Sequence, residues 1–225
     1  MIVADRFFLS AILVLSLLPV SSSSWGKAPA VKIRTTEAAM AEKIIKVPTR
    51  EAVLDDQTGV RFPKQLGDMH INVVDDFREL SPDLGRAFHY GFADIKVSIY
   101  VYNLGRAEIG SGIGDPETRE SLDGAVRDVY HQGELGYYLD ITVTEPRSIA
   151  LETATGKQDF LWVKFTYTEV DGDLSVDKNS WLLVTGHKDH FFKVRYTCAA
   201  DLFDDGMPGE SFLGRFLVDL GQLFY

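Results

Sequence analysis

The feature that most constrains the fold is a strict alternation of apolar and polar side chains along residues 95–102. The odd-numbered positions are apolar, and they are Ile95, Val97, Ile99 and Val101. A period of two residues predicts a β-strand with one face in the core. The even-numbered positions hold Lys96, Ser98, Tyr100 and Tyr102. The two tyrosines indicate that the second face of this strand is also partly covered.

A helix is predicted after this strand and the glycine-rich loop that follows it. Asp115 is suited to accept hydrogen bonds from the free amides of a first helical turn, and Pro116 fits the first helical position. Apolar residues then recur at helical spacing on one face: Leu122, Ala125, Val126, Val129 and Tyr130. Gly133 is expected to end the helix in a left-handed conformation.

The second half of the chain has the pattern of antiparallel strands followed by a terminal helix. Strands are expected at 139–144, 160–168, 181–185 and 190–198, and turns at 171–172, 177–179 and 186–189. The last three strands should form a meander. From Pro208 onward, apolar residues again lie on one helical face.

This order of elements predicts an α+β fold. We expect a mainly antiparallel sheet of about six or seven strands, covered by two or more amphipathic helices in an α/β/α sandwich. No internal repeat or low-complexity linker divides residues 51–225, so they should form a single domain. Residues 25–50 are expected to be peripheral, with a short helix that begins near Thr36 and ends before Pro48.

Residues 1–24 have the pattern of a secretory signal peptide. Arg6 precedes a mostly apolar stretch at 7–20, and four serines follow it. The stretch is short for a membrane span, which needs about 20 residues. An uncleaved N-terminal anchor, which would make the protein a membrane-tethered assembly factor, is the alternative. In both cases the body of the protein is exported. The absence of an Asn-x-Ser/Thr sequence favours the periplasm or cell envelope of a bacterium.

The net charge of the chain limits the classes of partner that it is expected to bind. It has 33 acidic and 23 basic residues, a net charge of −10, and segment 1–24 contributes one of each sign. Nucleic acid and anionic lipid are therefore not expected as partners, and no stable membrane insertion is expected after signal cleavage. A single cysteine, Cys198, excludes an internal disulfide, so packing must stabilise the fold.

Two resemblances accompany this pattern. The segments VRFP at 60–63, VYNLG at 101–105 and LVTGH at 183–187 resemble uncharacterised exported bacterial proteins over roughly residues 59–224. The order of elements resembles the α/β/α sandwich of PsbP-, Mog1- and DcrB-type proteins. The second resemblance implies an accessory or binding role, and neither implies site residues.

The histidine turn, residues 186–190, is the strongest chemical candidate. His187 and His190 are potential zinc or copper ligands. They flank a predicted tight turn, where the two side chains need not point the same way. A third ligand would have to come from elsewhere, with His70, His89 and His131 as the other histidines. A polar turn without metal is the alternative.

The glycine loop, residues 105–114, is the second candidate. It runs from a strand into a helix, the setting in which glycine-rich loops bind phosphates. Asp115 stands where a phosphate motif has glycine, and no Lys-Ser/Thr follows, so phosphate binding is not predicted. We instead expect a contact loop, with Gly110, Ser111, Gly112 and Gly114 as its contact residues.

Other arrangements are weaker. Asp171, Asp173 and Asp177 lack the spacing of a calcium loop and are interpreted as an acidic hairpin tip. Cys198 is expected to be a buried apolar residue, and no nucleophile elbow surrounds any serine. Aromatic residues of the later strands are expected in the core, with a shallow ligand groove as the alternative.

Together these patterns predict a non-catalytic binding or accessory module that needs no cofactor. Its partner is expected to be a protein or a small ligand of the cell envelope. A metal-dependent periplasmic enzyme or a metal carrier that uses His187 and His190 is the second hypothesis.

Overall fold

Ten strands of the chain form one antiparallel sheet in the computed structural model, which describes residues 44–203 and 208–224. The strands are β1 (Ile45–Pro48), β2 (Val53–Leu54), β3 (Arg61–Phe62), β4 (Gln65–Leu66), β5 (Met69–Asp76), β6 (Arg86–Phe92), β7 (Ile95–Tyr102), β8 (Tyr138–Val143), β9 (Arg147–Glu152), β10 (Lys157–Asp171), β11 (Leu174–His187) and β12 (His190–Ala199). The helices are α1 (Pro116–Glu134) and α2 (Pro208–Gly221), with 3-10 turns at Pro82–Leu84 and Ala200–Phe203.

The order across the sheet is β1-β5-β6-β7-β12-β11-β10-β8. β4 pairs with β5, and β9 pairs with β10 alongside β8. β2 and β3 form a separate two-stranded sheet. The three longest strands, β10, β11 and β12, are consecutive in sequence and form the predicted meander.

The two helices lie on opposite faces of the large sheet. Leu182 and Val184 of β11 pack in one cluster with Leu122 and Val129 of α1. The intervening Leu183 points the other way and packs in the cluster that contains Phe216 of α2. Helix α1 contacts β8, β10 and β11, and α2 contacts β4 and β9.

The predicted α/β/α sandwich of six or seven strands is wrong. The sheet has ten strands, and the described residues contain two α-helices, one on each face. Residues outside the two helices also pack against the large sheet. Ile109 of the glycine loop and Phe62 of β3 are examples. The sequence pattern indicated the hairpin of β2 and β3 from residues 52–54 and 60–62, but it did not indicate β1, β4 or β9.

The start of α1 is as predicted, but its end is not. The Asp115 side chain accepts a hydrogen bond from the Glu117 amide at 2.9 Å, and Pro116 is the first helical residue. The helix continues through Gly133 to Glu134, and the left-handed residue is Gly136, with φ of 79°. A Cβ at Gly133 would lie 2.7 Å from the side chain of Ile141, so close packing explains this glycine.

Of the remaining sequence predictions, one turn is wrong, and those for the N-terminal segments fall mostly outside the described residues. The turn expected at 177–179 is wrong, because those residues lie inside β11. The predicted signal peptide at 1–24 and most of the helix from Thr36 lie outside the described residues, and residues 45–48 form β1. No helix in the described part of the chain is long and apolar enough to cross a membrane.

Candidate functional site

The histidine turn is a two-residue β-hairpin between β11 and β12. Lys188 and Asp189 occupy its centre with φ angles of 50° and 59°. Two successive left-handed residues match the turn type that fits the twist of an antiparallel pair. His187 and His190 are therefore direct cross-strand partners, and their side chains project from the same face of the sheet.

His187 is held in an aromatic environment. Its side chain is 9% exposed, and its ring meets the rings of Phe192 and Phe224 edge-on at centroid distances of 5.7 and 5.0 Å. Burial, and to a smaller extent the charge of Lys188, lowers the pKa of His187 from 6.5 to about 4. The imidazole is thus neutral at physiological pH, and its buried Nε2 has no hydrogen-bond partner.

His190 is fixed by its own turn. Its Nδ1 lies 2.8 Å from the carbonyl oxygen of Lys188. The side chain is 8% exposed, and Nε2 is buried without a hydrogen-bond partner. Both imidazoles thus present an unsatisfied nitrogen below the surface, which is uncommon for buried polar atoms.

The glycine loop joins the same end of the sheet through a backbone bridge. Gly112 and Gly186 exchange two hydrogen bonds, of 2.8 and 3.0 Å. β10 pairs with β11 only as far as the Leu161–Val184 pair, so the loop occupies the edge position that β10 leaves. The loop and the histidine turn, predicted as two separate surfaces, are therefore one connected unit.

The two parts of this unit face opposite sides of the sheet. A Cβ built on Gly186 would point at the loop, 2.0 Å from the carbonyl oxygen of Gly110. Since successive strand residues alternate between faces, the neighbouring His187 points away from the loop. A small ligand cannot contact the glycine loop and the two imidazoles from one side.

The loop does not offer a phosphate site. The Asp115 carboxylate accepts hydrogen bonds from the amides of Gly110 and Glu117, at 2.8 and 2.9 Å. These two hydrogen bonds lower the pKa of Asp115, so its negative charge occupies the place that a phosphate would need. Ser111 and Gly114 are exposed, which leaves them available to a partner.

The other histidines lie elsewhere. His70 is exposed at the start of β5, and His131 of α1 lies 3.0 Å from Glu134. His89 is in the middle of β6, next to Ser98. Within residues 44–203 and 208–224, no group of three or more His, Cys, Asp or Glu residues is placed to hold a metal ion. A three-ligand protein site on the histidine turn is not formed by these residues.

The sheet also forms a Ser-His-Asp row that the sequence pattern did not reveal. His89 Nδ1 lies 2.9 Å from Ser98 Oγ, and His89 Nε2 lies 3.2 Å from Asp75 Oδ2. The second contact falls outside hydrogen-bond geometry, so Asp75 does not orient the ring as in a catalytic triad. Ser98 is 7% exposed and lies in mid-strand, where a substrate carbonyl cannot reach its Oγ. We interpret the row as structural.

Two cations lie beneath α1. Lys193 Nζ stands 4.6 Å from the ring centre of Tyr100, and Arg195 donates hydrogen bonds to Ser180 and Tyr167. Burial raises the pKa of the nearby Asp128 despite the attraction of Lys193. The cavity between these side chains measures about 10 Å³, which is room for a single water and not for a substrate.

The aromatic residues proposed as a ligand groove are mostly buried. Phe165, Tyr167, Trp181, Phe191 and Tyr196 are each at most 9% exposed. Only Trp162 of the set is half-buried. Their position in the core agrees with packing and removes most of the surface that a groove would need.

Neither comparison with known proteins supplies a relative: no protein-family model matches the chain, and no curated protein matches it. The resemblance to PsbP-, Mog1- and DcrB-type proteins therefore stays a prediction.

Proposed function

We propose that the protein is an exported, non-catalytic binding module of the bacterial cell envelope, and that it contacts a protein partner through the tip of the β10–β11 hairpin. Export is supported by the signal-like sequence at 1–24. The burial of Asp75 and Ser98 supports a role without catalysis.

The observation that carries the proposal is the exposure of this tip, residues 171–177. β12 accompanies β11 only from Lys178, and the segment around β8 accompanies β10 only as far as Val170. In the described part of the chain, the residues beyond these points pair only within the hairpin: Asp171 pairs with Leu174, and residues 175–177 pair with residues 168–170 of β10. All seven are exposed. The tip therefore stands clear of the sheet, where another protein can reach it from several sides.

The chemistry of the tip indicates the kind of partner. Leu174 is 70% exposed and Val176 is 43% exposed. They are two residues apart on β11, so their side chains lie on the same face of the hairpin. Asp171, the last residue of β10, pairs with Leu174, and Asp173 lies in the turn. An apolar centre with acidic neighbours fits a partner surface that has an apolar pocket and a cationic rim.

Site-specific photo-crosslinking in the bacterial envelope tests this proposal. A photoreactive residue at Ser175, next to Leu174, should give one discrete adduct. The same group at Val218, which is 66% exposed on α2, serves as the matched control. We expect Asp171→Lys and Asp173→Lys to remove the adduct and added salt to weaken it, because the contact depends on charge.

Two results would overturn the proposal. One is an equal adduct pattern from Ser175 and Val218, which would mean non-specific contact. The other is an adduct whose yield does not change with the lysine substitutions or salt. Equal melting temperatures of the variants exclude misfolding as the cause of a lost adduct.

A further inference from the structure

His187 and His190 share a geometry that the proposed hairpin contact does not use. They are cross-strand partners at the first pair after a two-residue turn, so their Cβ atoms lie about 4.5–5.5 Å apart on one face. Both side chains are more than nine-tenths buried. In both, Nε2 is a buried nitrogen without a hydrogen-bond partner.

The contacts of His190 show which of its nitrogens is available. The Lys188 carbonyl oxygen can only accept a hydrogen bond, so His190 Nδ1 at 2.8 Å must carry the proton that it donates. With the proton on Nδ1, Nε2 is the ring nitrogen that can act as an acceptor or a metal ligand. Metal-binding histidines are commonly oriented by this kind of bond from their other ring nitrogen.

The surroundings favour a cation of low charge. The two imidazoles are the donors of this site. Among the described residues, no further His, Cys, Asp or Glu is placed to complete a three-ligand site with them. Lys188 brings a positive charge next to the pair, and the rings of Phe192 and Phe224 give His187 an apolar environment. Both features raise the cost of a divalent ion, which also prefers more ligands.

We propose that His187 and His190 form a two-imidazole site for a monovalent d¹⁰ cation, with Cu(I) as the biological candidate. Imidazole is a suitable ligand for copper. A monovalent d¹⁰ ion such as Cu(I) or Ag(I) accepts two donors in a linear arrangement, without further protein ligands. Binding would use both nitrogens that are otherwise unsatisfied. No electron or proton transfer is part of the proposal, and it does not depend on the function of the hairpin tip.

Titration of the metal-free full chain with Cu(I), without oxygen and against a coloured Cu(I) chelator, tests the site. We expect one equivalent to bind, and His187→Ala and His190→Ala each to weaken binding at least tenfold. His70→Ala, which removes an exposed histidine of β5, should leave the affinity unchanged. Cys198→Ala should also have no effect, because that thiol is fully buried.

A second measurement does not depend on the folding of any variant. In the wild-type protein with ¹⁵N-labelled histidine, Ag(I) as a Cu(I) analogue should shift the Nε2 resonances of His187 and His190 but not that of His70. Unchanged resonances would overturn the proposal and leave a bridging water as the partner of these nitrogens. One equivalent of Zn²⁺ bound through the same histidines with higher affinity than Cu(I) would overturn the assignment to a monovalent ion.

Discussion

Gly112 and Gly186 exchange both of their backbone hydrogen bonds, and this pair attaches the glycine loop to the end of β11. The attachment requires a residue without a side chain at 186, because a Cβ there would lie 2.0 Å from the Gly110 carbonyl oxygen. The loop can therefore pack this closely against β11 only because residue 186 is a glycine.

Gly186→Ala should detach the loop. The backbone must move by more than an ångström to admit the methyl group, so we expect a loss of about 1–3 kcal/mol in the free energy of unfolding. Amide hydrogen exchange should become faster at Gly112. Gly114→Ala is the matched control, since a Cβ at Gly114 meets nothing within 4 Å. Equal stability of the two variants would contradict this account of the loop.

Asp76 should make stability depend on acid pH. Burial alone would raise its pKa, but hydrogen bonds from Arg78 and Arg86 outweigh burial and lower the pKa from 3.8 to about 2. Because the folded pKa is the lower one, this stabilisation is present above pH 3.8 and is lost as the pH falls towards 2. The shift corresponds to about 2 kcal/mol.

Urea unfolding as a function of pH checks this expectation. Asp76→Asn should be less stable than the wild type at pH 7, and the difference should shrink below pH 3.8. Asp173→Asn, at the exposed hairpin tip, is the control for loss of a carboxylate. A difference that stays constant from pH 7 to pH 2 would show that the ion pairs of Asp76 do not stabilise the fold.

Cys198 should be inert to thiol reagents in the folded protein. Its side chain is fully buried, and burial raises its pKa to about 12, so the reactive thiolate is scarce. At pH 8 a maleimide or disulfide reagent should modify the chain only after unfolding in urea. Stoichiometric modification of the native protein within minutes would contradict the position of this residue in the core.

Short-range patterns predicted the elements that depend on neighbours in sequence. The alternation at 95–102 gave β7 with its observed bounds, and Asp115 with Pro116 marked the start of α1. The length of the histidine turn also depends only on local residues. The direction of its side chains follows from that length, because a two-residue hairpin makes His187 and His190 direct partners.

Long-range pairing was not predictable in the same way. Asp75, His89 and Ser98 come from three strands, and only the register of the sheet brings them together. Lys193 and Arg195 alternate with core residues of β12, a pattern that usually indicates a solvent-facing strand face. Here α1 and the rings of Tyr100 and Tyr138 cover them, so the cations are buried among aromatic side chains.

The Ser-His-Asp row gives the last prediction. If the row is structural, Ser98→Ala removes the hydroxyl that lies 2.9 Å from His89 Nδ1 and leaves a partly buried nitrogen without this partner. We expect a loss of about 1–3 kcal/mol in the free energy of unfolding, measured in urea. Ser111→Ala, in the exposed glycine loop, should change it by less than about 0.5 kcal/mol. A fluorophosphonate probe should not label the native wild-type protein, because Ser98 Oγ is out of reach. Labelling that disappears in Ser98→Ala would instead make the row a hydrolytic site and would also contradict the proposed non-catalytic function.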